Sequence, residues 1–203
     1  MSGFVEDEIA FRRDIATVDQ RNLAEALPVL LHHLRRGAQG PKALWDLVQS
    51  FARAASLTTP VLQGHCEVAA RLGQRLGLPA EVARGLGQLY ARWDGKGIPA
   101  GVAGEAIALP VRIVILAQEA IVLSDSLGEA AMRQRLERRA GGVHDPSLVG
   151  LFLERGGPWL AEVALPPRAE AALDLEPLPQ KLMDEAGLLA AAEVLADIAD
   201  MRM

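Results

Sequence analysis

The most informative stretch of this chain is RWDGKGIP at residues 92–99, followed by GEAIALPVRI at residues 104–113. Asp94, Gly95 and Gly97 are turn-forming residues, because aspartate accepts backbone N–H bonds and glycine adopts positive φ values at low cost. From Leu109 onward the residues are apolar on nearly all sides, which is typical of a buried helix. The pattern predicts a glycine-rich loop that leads into a central helix.

Composition favours helices and excludes several classes of protein. The 203 residues are 50% hydrophobic but only 4% aromatic, so the core is built mainly from leucine, alanine and valine, which favours helices over sheets. The net charge of −5 argues against binding to nucleic acid. The single cysteine, Cys66, is expected to be a small buried hydrophobe. With no signal peptide and no long apolar run, we expect a soluble cytoplasmic protein that does not bind membranes.

Hydrophobic spacing predicts a series of helices separated by glycine and proline. They fall at residues 23–36, 43–56, 60–78, 79–93, 109–123, 129–139, 146–153 and 181–203. The sequence therefore predicts an all-α bundle over residues 1–155, a proline-rich linker over 156–179 and a long amphipathic helix over 180–203.

The loop and the helix after it resemble the signature of HD-GYP phosphodiesterase domains, written HHExWDGxGYPxGLxGExIPLxARI. The resemblance covers residues 64–152 and implies an HD-domain-like helical bundle. Glu105 and Arg112 match family positions, and we expect them to pair and so to pin the loop to the helix. The residues of the signature loop are Trp93, Asp94, Gly95, Lys96, Gly97, Ile98 (in place of the family tyrosine), Pro99, Gly104, Glu105 and Arg112.

Domains of this family bind two cations through imidazoles and carboxylates. By the resemblance, His65 lies at a ligand position, but the other ligand positions carry Leu89, Tyr90, Ala91 and Gln118. Alkyl, phenol and amide groups do not bind divalent ions as imidazole and carboxylate do. We therefore expect no catalytic residue, no metal and no cofactor, with His65 as a weak candidate ligand that instead bonds inside the bundle beside Gln118. Manganese, iron or zinc is expected only if this interpretation is wrong.

Two other places look like the His-Asp pair that gives such domains their name. His144 and Asp145 lie in a turn where the aspartate is expected to cap a helix. His32 and His33 are neighbours on a helix, where successive side chains point about 100° apart. We expect both places to hold ordinary surface or capping residues.

These observations predict a non-catalytic regulatory or interaction module, similar to the N-terminal module of two-module bacterial HD-domain regulators. It is expected to act by dimerisation or by docking to a second HD-type domain. The apolar stripe of the terminal helix, at Leu188, Leu195 and Ile198, is the expected contact surface.

Two alternatives remain open. The first is a metal-dependent phosphohydrolase of the HD-GYP type that acts on cyclic-di-GMP or another phosphoester. The second is a metal-free nucleotide sensor that uses Arg92, Lys96 and Arg112.

Overall fold

The computed structural model describes residue 10 and residues 14–19, 23–37, 59–163, 173–175, 178 and 182–200. Within these ranges the chain consists of helices, turns and two isolated bridges, Tyr90 to Ile98 and Ala140 to His144. The all-α prediction is confirmed. The helix predicted over residues 43–56 lies outside the described residues. Among the described helices, none has the length and apolar character needed to cross a lipid bilayer.

The N-terminal part starts with one helical turn at residues 14–16, and helix α1 (Leu23–Gly37) follows it, as the spacing predicts. Residues 59–75 are helical and are called α2. Gly77 ends α2 with a φ of 67°, and the N–H of Leu78 donates to the carbonyl of Gly73 at 3.0 Å. This closing bond, with a left-handed glycine, is a Schellman cap.

Helix α3 (Ala80–Leu86) is shorter than predicted, because the chain turns at residues 87–89 instead of continuing to residue 93. The side chain of Gln88 lies inward and binds the far end of the signature loop. Its Oε1 accepts from the N–H of Ala108 at 2.9 Å, and its Nε2 donates to the carbonyl of Ala106 at 3.3 Å. The helix therefore ends before Gln88, whose buried amide forms hydrogen bonds across the loop.

The core is formed around α4 (Leu109–Leu127), which packs against α3, α5 (Glu129–Arg139) and α6 (Pro146–Arg155). Gly128, with a φ of 84°, makes the tight turn from α4 to α5. Full burial stabilises each large apolar side chain by roughly 1.5–3 kcal/mol, so this cluster supplies much of the driving force for folding. Its buried members are Leu116, Ala120, Leu123, Met132, Leu136 and Val149.

The predicted linker over residues 156–179 is wrong at its start, because helix α7 (Gly157–Val163) lies there and packs on α6. The N–H of Gly156 donates to the carbonyl of Phe152 at 2.7 Å, and Pro158 falls in the first turn of α7. Proline is favoured in the first turn of a helix. The glycines and proline therefore mark a change from one helix to the next, not the beginning of an irregular segment.

The terminal helix, α8 (Glu185–Asp200), lies against α2. Val194 is buried at 3% exposure, and Arg75 on α2 pairs with Glu193 at 3.4 Å and with Asp197. Leu188 and Leu195 of the predicted stripe are 60% and 66% exposed. The side chain of Ile198 lies outside the described residues. The helix thus packs on its own chain through a face other than the leucine stripe.

Candidate functional site

The signature loop is folded as its sequence predicts. Asp94 Oδ1 accepts from the backbone N–H of Lys96 at 3.0 Å, and Gly95 has a φ of 73°. Gly97 passes so close to the preceding strand-like segment that a Cβ there would lie 2.4 Å from the backbone N of Arg92. Ile98, which replaces the family tyrosine, is buried at 3% exposure. The loop is therefore a packed structural unit.

Arg92 ties this loop to the N-terminal segment. Its Nη1 donates to Asp19 Oδ2 at 2.6 Å, and its Nε donates to Asp94 Oδ1 at 3.1 Å. Burial alone would raise the pKa of Asp94, but hydrogen bonds from Arg92 and from the N–H of Lys96 outweigh it, so the pKa lies below its usual value. The arginine that a nucleotide sensor would use is thus bound to two carboxylates of its own chain.

Arg112 makes a different ion pair from the predicted one. It donates through Nη1 to Asp145 Oδ2 at 2.7 Å and lies 5.7 Å from the centre of the Trp93 ring. Glu105 is exposed in the 3₁₀ turn Gly104–Ala106, so the expected pair between Glu105 and Arg112 is wrong. The predicted helix cap is confirmed, because Asp145 Oδ1 accepts from the N–H of Ser147 at 2.9 Å.

A buried polar network, which the spacing of residues does not predict, lies behind the loop. His144 Nε2 is 2.5 Å from Glu119 Oε2, and Arg139 pairs with the same carboxylate. Arg139 also donates through Nη2 to Glu25 Oε2 at 2.6 Å, which joins α5 to α1. The side chain of His144 is 1% exposed, so its expected surface position is wrong. Burial, followed by the charges of Arg139 and Arg92, lowers the pKa of His144 to about 4.

Of the ligand positions inferred from the resemblance, Ala91 is buried, and the other four do not lie inside the bundle. His65 and Gln118 are exposed, and Leu89 and Tyr90 are 37% and 42% exposed. Their expected meeting in the interior is therefore wrong. They lie on the outer faces of their segments, where the inward positions are taken by neighbours such as Cys66 and Gln88.

Cys66 and His33 are both buried. The burial of Cys66, at 5% exposure, confirms its prediction, and desolvation raises the pKa of its thiol. His33 was expected at the surface but is 5% exposed, with its Nε2 2.8 Å from Asp14 Oδ2. Its neighbour His32 is exposed, with its ring edge-on to that of His33. One of the two adjacent imidazoles is thus buried and the other exposed, although their ring centres are only 5.2 Å apart.

The resemblance implies two cations, which need a cluster of imidazole and carboxylate ligands. Across the described ranges, no group of three or more His, Cys, Asp and Glu side chains could hold a metal ion. His33 with Asp14, and His144 with Glu119, each bring together one imidazole and one carboxylate. The described residues alone therefore do not fit a binuclear centre.

Two cavities border these helices. One, of about 10 Å³, lies among Trp93, Arg112 and His144 and has room for a single water molecule. The other is an apolar groove of about 240 Å³ between α4, α6 and α7, with Phe152 and Trp159 in its wall. The first is too small for a nucleotide, and the second has no charged side chain in its lining.

Comparison with known proteins shows which family and which relatives the chain is similar to. A family model described as HD domain matches residues 9–135. The chain is 26% identical over 148 residues to a 3'3'-cGAMP-specific phosphodiesterase 3 of Vibrio cholerae, covering 72% of this chain and 32% of that protein. The crystal structure of a cyclic GMP-AMP specific phosphodiesterase of V. cholerae superposes with a TM-score of 0.67 at 22% identity, covering 94% of this chain and 48% of that one.

These matches correct two predictions. The family match begins at residue 9, so residues 9–60 belong to the domain and the resemblance is not confined to residues 64–152. The prediction of a non-catalytic module is contradicted by the similarity to a phosphodiesterase, which agrees better with the alternative of an HD-type phosphohydrolase. The chain spans about a third of the length of that curated relative. Its helical fold and the match over residues 9–135 establish that the chain belongs to the HD-domain family.

Proposed function

We propose that this chain is the HD-domain part of a phosphodiesterase that hydrolyses a cyclic dinucleotide, with 3'3'-cGAMP as the first candidate substrate. The observation that carries the proposal is the alignment, over 148 residues, with a protein named as a 3'3'-cGAMP-specific phosphodiesterase. The HD-domain match over residues 9–135 supports the same reaction class. The proposal replaces cyclic-di-GMP as the expected substrate.

In such a reaction water attacks a phosphorus atom, one P–O ester bond breaks, and the ring opens to a linear dinucleotide. Cations in these enzymes stabilise the charge that develops on the phosphoryl oxygens. Because the described residues do not fit a binuclear centre, no metal-dependent step is assigned to them. Any cation pair needs ligands from beyond the described ranges.

The described residues contribute to the proposed reaction by holding the parts of the domain in place. Arg92, through Asp19, and Arg139, through Glu25, hold the N-terminal segment against the loop and α5. Both arginines are occupied by carboxylates of the chain, so binding of phosphate to either one would require breaking an internal ion pair. Their contribution is to fix the relative positions of the N-terminal segment and the bundle.

Asp14 is the carboxylate whose loss we expect to lower activity. It is 48% exposed, so it reaches solvent, and it bonds to the buried His33 at 2.8 Å. It therefore places a solvent-accessible carboxylate against a buried imidazole. Glu154, which is 68% exposed and pairs with Arg155, provides a matched control.

The test is a substrate panel of 3'3'-cGAMP, cyclic-di-GMP and a chromogenic phosphodiester, assayed with manganese, iron or zinc supplied. We expect 3'3'-cGAMP to be cleaved fastest, Asp14→Asn to reduce the rate at least tenfold and Glu154→Gln to leave it unchanged. Preference for cyclic-di-GMP would contradict the proposed substrate. Equal rates for both variants would contradict the proposed role of the Asp14 carboxylate in the activity.

A further inference from the structure

We propose that Arg135 is a positioning residue that holds the turn carrying Asp14 and so fixes the place of the Asp14 carboxylate. This inference rests on the proposed function, in which that carboxylate contributes to hydrolysis. Arg135 lies on α5, and its Nη1 donates to the carbonyl oxygen of Thr17 at 2.6 Å. The bond joins positions 118 residues apart. It therefore connects the bundle to the N-terminal segment.

The position of Asp14 depends on Thr17. Residues 14–16 are helical, and the chain turns at Thr17. The carbonyl oxygen of Asp14 accepts two hydrogen bonds from Thr17, one from the backbone N–H at 3.1 Å and one from the hydroxyl at 2.7 Å. The backbone of Asp14 is thus bound to the residue whose own carbonyl accepts from Arg135.

Thr17 is the point at which the bundle holds this turn. It is 6% exposed, and its carbonyl oxygen accepts from Arg135 at 2.6 Å and from Arg139 at 3.4 Å. A guanidinium is a charged donor, and charge-assisted hydrogen bonds are stronger than those between neutral groups. Arg139 lies closer to Glu25, at 2.6 Å, so Arg135 makes the main bond to Thr17.

Asp14 is therefore fixed at two points. Its carboxylate bonds to His33 at 2.8 Å, and its backbone is held by Arg135 through Thr17. Loss of Arg135 would leave the bond to His33 but allow the turn to shift. A misplacement of about 1 Å can lower the rate of an enzyme about 100-fold. Arg135 therefore acts on the proposed reaction through Asp14.

Arg133, on the same helix, provides a matched control for Arg135. It donates through Nη2 to the carbonyl oxygen of Leu153, also at 2.6 Å. Each arginine also lies near one glutamate, Arg133 at 3.8 Å from Glu129 and Arg135 at 3.6 Å from Glu25. Positions two apart on a helix point about 200° apart. Arg133→Gln thus removes the same kind of bond on another side of α5.

Kinetics with 3'3'-cGAMP, with manganese, iron or zinc supplied, test the effect on the reaction. Arg135→Gln should lower kcat about tenfold and change KM by less than about twofold, because a displaced carboxylate affects the chemical step more than binding. Arg135→Lys keeps a charged donor and should recover part of the rate. Thr17→Val removes the hydroxyl bond to Asp14 and should also lower kcat. Arg133→Gln should leave both constants unchanged.

Nuclear magnetic resonance of ¹⁵N-histidine tests the positioning without any activity. A carboxylate only accepts hydrogen bonds, so a His33 ring bound to Asp14 carries a proton on Nε2. The wild-type chain and Arg133→Gln should show a protonated Nε2. In Arg135→Gln and Thr17→Val the Nε2 signal should shift toward that of a mixture of the two tautomers. His33→Gln assigns the signal by its loss.

The outcomes separate the positioning from the proposed function. An unchanged His33 signal in Arg135→Gln, or an equal shift in Arg133→Gln, would overturn the positioning. If Arg135→Gln does not fold, Thr17→Val decides in its place. A wild-type chain that gives the expected spectra but does not cleave 3'3'-cGAMP would contradict the proposed function alone. Cleavage at the wild-type kcat by folded Arg135→Gln would contradict the positioning alone.

Discussion

Arg92 and Asp19 form an ion pair across 73 positions of the sequence, with Nη1 and Oδ2 2.6 Å apart. Their side chains are 16% and 15% exposed, so the pair is largely shielded from solvent. It connects the N-terminal segment, which the family match includes, to the glycine-rich loop from which the family resemblance was first inferred. The pair therefore makes the two parts of the domain one unit.

Removal of this pair should destabilise the fold. Arg92→Ala leaves Asp19 and Asp94 without their shared cation, and loss of one member of a buried pair costs about 3 kcal/mol. Urea denaturation followed by circular dichroism measures the change. Arg155→Ala removes an exposed pair with Glu154 and should change the free energy of unfolding by less than about 0.5 kcal/mol. Similar losses for both variants would contradict the structural role of Arg92.

Two glycine substitutions should have opposite effects. A Cβ at Gly97 would lie 2.4 Å from the N of Arg92 and 2.6 Å from the carbonyl O of Tyr90, both backbone atoms that cannot move aside. Gly97→Ala should therefore cost at least about 2 kcal/mol. Gly150 lies within α6, and a Cβ there would meet nothing within 4 Å. Gly150→Ala should stabilise the protein by about 0.5–1 kcal/mol. Thermal unfolding of the two variants shows whether the signs differ.

The neutral imidazole of His144 should make stability depend on pH. Its pKa is about 4 in the folded chain and about 6.5 when unfolded, so the unfolded state binds more protons between these values. The stabilising contribution is complete above pH 6.5 and is lost as the pH falls toward 4, by up to about 1.4 kcal/mol per pH unit. Urea titrations from pH 7.5 to 4.5 measure this slope. His144→Gln should flatten it, and an unchanged slope would contradict the buried neutral state.

The sequence predicted the elements whose signals are local. Helix α5 has the predicted bounds Glu129–Arg139, because its charged sequence is followed by the breaker pair at Gly141 and Gly142. Asp145 was recognised as a cap because capping involves residues two or three positions apart. Gly95 likewise follows from the turn chemistry of its own segment.

The features that the sequence did not predict depend on contacts between residues far apart in the chain. The spacing of apolar residues does not reveal such contacts. The pair of Arg139 and Glu25 joins positions 114 residues apart, and nothing local distinguishes Arg139 from the exposed Arg138 beside it. His144 lies in a glycine-rich turn, a sequence that is typical of the surface, but its side chain is buried beside Glu119 and Arg139. Helix α3 ends early because Gln88 binds the backbone of Ala106 and Ala108 across the loop. Helix propensity takes no account of such distant partners.

Hydrolysis of 3'3'-cGAMP in water enriched in ¹⁸O, with manganese, iron or zinc supplied, tests the proposed activity most directly. Mass spectrometry of the products measures both the number of turnovers and the source of the new oxygen. We expect a linear dinucleotide that carries one ¹⁸O atom on the phosphate for each cleaved bond and accumulates to many equivalents per chain. Recovery of intact, unlabelled 3'3'-cGAMP after incubation with excess folded protein would contradict the proposed activity.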